Sequence, residues 1–121
     1  MSRNPVTTVI VLALVVYGLY IGSYIPPMLV GAPPIAILVG FVVQAVAAIA
    51  SAVGVWQQRS WAAGALIVLG AAIAVTEIIE GFVMGLISYN HALAVALLGL
   101  ALTILAALYV SRSGLGRGVR L

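Results

Sequence analysis

The 121-residue chain contains no cysteine, no lysine and no aspartate; its charged or titratable side chains other than tyrosine are five arginines, two glutamates and one histidine. The missing cysteine excludes disulfides, thiolate metal ligands and thiol nucleophiles. With only 6% charged residues against 65% hydrophobic ones, there is too little polar surface to face water on all sides, and the composition predicts an integral membrane protein. A di-iron carboxylate site in a helical bundle needs about four glutamates and two histidines, and a lone histidine cannot ligate haem from both sides. No Ser-His-acid set and no glycine-rich nucleotide motif is present. No cofactor, no metal site and no enzymatic activity are expected. The arginines are scattered over three segments and form no dense patch, so the expected charged partner is the headgroup layer of the lipid bilayer and not nucleic acid.

What remains is mostly hydrocarbon. Four apolar runs, 5–24, 33–56, 61–87 and 92–110, each approach the ~20 helical residues that cross ~30 Å of bilayer core. The first run is read as a retained span and not a cleaved leader, because no small-residue cleavage site follows it and three more spans do. Residues 1–121 are therefore expected to be one all-α domain. "GSYIPPMLVGAPP" (22–34) reads as a Pro/Gly loop whose second proline pair opens the next helix, and "QQRS" (57–60) and "SYNH" (88–91) read as tight hairpins. Such short connections predict four transmembrane helices in an up-down antiparallel bundle. Arg3, Arg59, Arg112, Arg117 and Arg120 all fall on one side of that layout, which predicts both termini in the cytoplasm and residence in the plasma membrane. Trp56 and Trp61 on that side, and Tyr24 and Tyr89 on the other, suit the two interfaces.

Small residues recur at helical spacing. The third span carries Gly70, Ala74, Glu77, Gly81 and Gly85, the fourth Ala92, Ala96, Gly99, Thr103 and Ala106, and the second Gly40, Gln44, Ala48 and Ser51. Lipid tails are as apolar as leucine, so helices associate through close backbone approach along such stripes. Gly18 with Gly22, and Gly81 with Gly85, have the small-xxx-small spacing, which points first to packing inside the bundle and second to a homo-oligomer seam.

The two acids, Glu77 and Glu80, both lie inside "TEIIEGFVMG" in the third run. A charge at the bilayer centre costs about 2.5–3.5 kcal/mol on insertion scales, which makes an intramembrane acid a functional candidate. No arginine falls within the four runs. The carboxyls therefore take a proton, hold a cation, or meet a cation from another chain. Their i, i+3 spacing puts both on one side of a helix. Counting ~1.5 Å per residue from the outer boundary, Gln44, Glu77 and Thr103 fall near one depth, with Glu80 and Tyr17 slightly shallower. These five residues are the expected proton or cation site. His91 is read as an interfacial helix-start residue or, less simply, a ligand, and Met84 as packing. The expected function is a small oligomeric proton- or cation-coupled transporter or channel subunit. The alternative is a non-catalytic accessory subunit of a larger membrane assembly, for example a respiratory one, whose short loops and small-residue stripes serve packing. Read apart from either function, protonated acids would simply tie neighbouring helices together by hydrogen bonds.

Overall fold

The computed structural model describes residues 5–31, 35–85 and 87–112. The expected helix-opening Pro33–Pro34 pair, and Arg3, Arg117 and Arg120, lie outside the described residues. All regular structure among the described residues is helical: α1 (Pro5–Gly22), α2 (Ile25–Val30), α3 (Ile35–Trp56), α4 (Ala62–Ile78) running on through a π-helical turn (Ile79–Val83), and α5 (Tyr89–Arg112). Four stretches are long and apolar enough to cross a membrane, Pro5–Val30, Ile35–Trp56, Ala62–Val83 and Tyr89–Arg112. Val9, Val16, Leu19, Leu97 and Leu105 are each more than 60% exposed. Such a surface suits hydrocarbon rather than water.

The spans pack in chain order, α1 on α3, α3 on α4 and α4 on α5, with α3 and α4 in the middle. Their shared core is built from Leu14, Ala48, Val55, Leu66, Leu69, Ile73, Ala107 and Val110. Every interface has a side chain seated on a glycine of the next helix. Ile49 and Ala48 lie over Gly18, Thr76 over Gly40, Trp61 over Gly54, Thr103 over Gly70, Ile73 over Gly99, and Ala92 over Gly81. At Gly40, Gly70 and Gly81 the facing atoms are at or next to a β-carbon, so a side chain there would push the helices apart, and the small residues set the helix separation.

The connections depart from the sequence reading in three places. Residues 22–34 hold the short helix α2 where a loop was expected. Pro26 and Pro27 fall in its first turn, where no intrahelical N–H is needed, so prolines that end one helix can start another. The third span ends at Val83 and not near 87, because Gly85 at φ 65° turns the chain out of the helix. The fourth span begins at Tyr89 and not 92. Ser88 Oγ accepts the His91 backbone N–H at 3.1 Å, a side-chain cap that starts the helix within the expected hairpin.

At the other end of α3 the Arg59 N–H donates to the Gly54 carbonyl at 2.8 Å and the Gln58 N–H to that of Val55 at 3.1 Å. This is a Schellman closure, with Gln58 at φ 58° in the left-handed position that glycine usually fills.

Candidate functional site

The site begins with a break in helical register. The buried residues of α4 are Ala62, Leu66, Leu69, Gly70, Ile73 and Thr76, at the three- and four-residue steps of an α-helix facing a neighbour. The next buried residue is Gly81, five positions beyond Thr76. The two face different neighbours, Thr76 toward Gly40 of α3 and Gly81 toward Ala92 of α5. The π turn lies across this stretch, closed by a bond from the Met84 N–H to the Ile79 carbonyl at 2.9 Å. A β-carbon added at Gly81 would lie 2.5 Å from the Ala92 Cβ. Glu80 is left half-buried at its side. Nothing in the spacing of apolar residues announces this turn, and the sequence reading missed it.

Glu77 sits one position round from the buried stripe and is half-buried. Its Oε1 is nevertheless sealed from solvent and makes no hydrogen bond within the chain. The carboxyl groups of Glu77 and Glu80 approach closely enough to hydrogen-bond to each other. From α1, the Tyr17 hydroxyl donates to Gln44 Oε1 on α3, and Gln44 is only 2% exposed. Tyr17 is within electrostatic range of both carboxyls. Three helices thus supply one polar cluster of Tyr17, Gln44, Glu77 and Glu80. The Tyr17 oxygen, having donated its proton to Gln44, still has lone pairs that can accept from a protonated carboxyl.

Thr103 lines the same groove as Tyr17, and its hydrogen bonds stay within its own helix. Its hydroxyl faces Gly70, seven residues from Glu77 along the chain, and donates to the Gly99 carbonyl at 2.8 Å and the Leu100 carbonyl at 3.1 Å. Bonding back to its own helix satisfies the hydroxyl, and its bulk fills the glycine notch. Among the four glycines expected to bring helices together, Gly81 meets Ala92 and Gly18 meets Ile49 and Ala48, whereas an added β-carbon at Gly22 or Gly85 touches nothing within 4 Å. Gly85 serves the chain turn instead.

What surrounds Glu80 on its other side is not visible in residue spacing. Phe82 stacks on Tyr89 with ring centroids 4.5 Å apart, joining the π turn to the start of α5. His91, exposed on the first turn of α5, is within electrostatic range of Glu80. Among the described residues no three of His, Cys, Asp and Glu gather as metal ligands. The cluster offers only oxygen donors and one amide, a set that suits a proton or a hard cation better than a soft metal.

No protein family, curated protein or solved structure matches the chain. The functional reading therefore rests on this geometry.

Proposed function

We propose that the chain is a subunit of a small oligomeric proton- or cation-coupled membrane transporter or channel, in which Glu77 is the titrating group and Glu80 its relay or co-ligand. In this reading the spans form an antiparallel bundle in the plasma membrane with both termini in the cytoplasm, the side on which Arg59 and Arg112 would lie. The observation that supports it is the buried, unpartnered Glu77 Oε1 beside Glu80 and the Tyr17–Gln44 pair. Two carboxyls this close are held by a shared proton or by a cation between them. Either species can leave and be replaced, whereas an acid kept only for packing would have its oxygens occupied by fixed donors.

A second reading, an accessory subunit of a larger membrane assembly, draws on a different observation. Between α1 and α5 lies a groove of about 370 Å³, lined by Ala13, Leu14, Tyr17, Leu98 and Leu102, and a helix from another chain would fit against it.

Purified protein in proteoliposomes with an internal pH dye separates the two. The transporter reading expects Glu77→Gln to abolish proton or cation-coupled pH change while the protein stays folded. Unchanged flux in both Glu77→Gln and Glu80→Gln would refute it. A tie between helices expects the glutamine variant to work and Glu77→Ala to be destabilised. An accessory subunit expects Glu77→Gln to weaken co-purification of a partner chain in mild detergent.

A further inference from the structure

We infer that His91 is the surface group through which the Glu77–Glu80 pair exchanges protons with the medium, at the end of the bundle where α4 turns into α5. This rests on the carboxyl pair being a proton site, and adds the route by which it is reached.

The geometry is set by the contact of Gly81 with Ala92, where a β-carbon added to the glycine would lie 2.5 Å from the Ala92 Cβ. Glu80 and His91 are the residues immediately before that contact in α4 and α5, so this contact brings their positions together. Exposure then falls in steps along one line. His91 is exposed, Glu80 and Glu77 are half-buried, Glu77 Oε1 is sealed, and Gln44 beyond Tyr17 is 2% exposed. The titratable groups around Glu80 are Glu77 on its own helix, Tyr17 on α1 and His91 on α5, with Tyr89 stacked on Phe82.

In the opposite direction the line stops. Between Glu77 and the 57–61 turn, the buried face of α4 is Ile73, Leu69, Leu66 and Ala62, each 6% exposed or less, with the Thr76 hydroxyl against Gly40. Neither α1 before Tyr17 nor α4 before Glu77 carries a titratable side chain. A proton entering by the α4–α5 turn meets ionisable groups at each step, and one entering from the other end meets none on these helices. An imidazole is suited to the first position, because its ring carries one nitrogen that donates and one that accepts a hydrogen bond, and so can pass a proton from one side to the other. The capping bond at this turn uses the His91 backbone N–H and not its ring, so the side chain can be changed without removing the cap.

The test uses the full chain in proteoliposomes at low buffer capacity. His91→Gln should slow proton flux roughly tenfold, less than the ~10²–10⁴ of a fully enclosed proton-transfer group because water also reaches Glu80. Added imidazole buffer should restore the rate, and His91→Asn should behave as His91→Gln does. Wild-type flux in both variants at low buffer would overturn the inference. So would a loss that imidazole does not restore, since that marks a structural role. Glu77→Gln is the separate control. Flux that persists in this variant removes the carboxyl pair as the proton site, whereas flux lost there but normal in the histidine variants removes only the route.

Discussion

Replacing Gly81 by alanine tests whether close approach at the π turn sets the geometry of the site. The new β-carbon would sit 2.5 Å from the Ala92 Cβ, against the 3.4–4 Å of ordinary contact, and both atoms are fixed to helix backbones. The helices must part locally by roughly 1 Å, and overpacking of this kind costs about 1–3 kcal/mol. Part of that is masked, since alanine is favoured over glycine in a helix by ~0.5–1 kcal/mol. Gly64 on the same helix supplies the correction, because nothing lies within 4 Å of a β-carbon there. Gly64→Ala should gain only the propensity term and be slightly stabilised. The difference between the two variants, ~1–3 kcal/mol, is then the clash itself. Unfolding in mixed micelles by added dodecyl sulfate, followed by the fluorescence of Trp56 and Trp61, reads the difference. A double-mutant cycle with Ala92→Gly completes the argument. Removing the facing methyl should recover most of the loss, leaving a favourable coupling of about 0.5–3 kcal/mol between the positions. Equal stability of Gly81→Ala and Gly64→Ala, or no coupling to Ala92→Gly, would refute the assignment of Gly81 to the helix contact.

Two further outcomes follow from single contacts. Tyr17→Phe removes the donor to the buried Gln44 Oε1 and should cost ~1–3 kcal/mol of stability; Gln44→Leu added to it should recover much of that loss, and failure to do so would show that Gln44 has another partner. Gln58→Gly relieves a non-glycine residue at φ 58° and should stabilise the protein by about 1 kcal/mol in the same micelle assay, whereas a destabilised variant would mean that the Gln58 side chain holds the turn.

The four spans were legible because hydrocarbon demands long uninterrupted apolar runs, and that demand acts on composition more than on any one residue. Their ends were less so. Pro26 and Pro27 read as loop residues, since the proline ring blocks an α-helical hydrogen bond, yet the same ring is harmless one turn later, and only the path of the chain decides which applies. Ser88 is likewise ambiguous in sequence, being equally suited to a hairpin or to the cap of the helix that follows. Of the expected polar residues, Glu77, Glu80, Gln44 and Tyr17 lie in one cluster because their positions along three spans were close to right. Thr103 shares a groove with Tyr17 but bonds back to its own helix, because depth counted from span ends ignores register between neighbours, which here is set by the seating of Thr103 on Gly70 and Ala92 on Gly81.

The small residues of α4 keep one side of it open to α5 along most of its length. Thr103 seats on Gly70, Ile73 seats on Gly99, and Gly81 meets Ala92, so close approach is maintained from the middle of the span to its end. Glu77 and Glu80 lie beside that side and are half-buried, where a carboxyl does not have to fit between the two backbones. The π turn, closed by the Met84 N–H on the Ile79 carbonyl at 2.9 Å, and Gly85 at φ 65° then end the span directly after the Gly81 contact. Glycine is required at 81 because even a methyl group there meets the Ala92 methyl, so the position that joins the two helices beside the acids cannot itself carry a side chain.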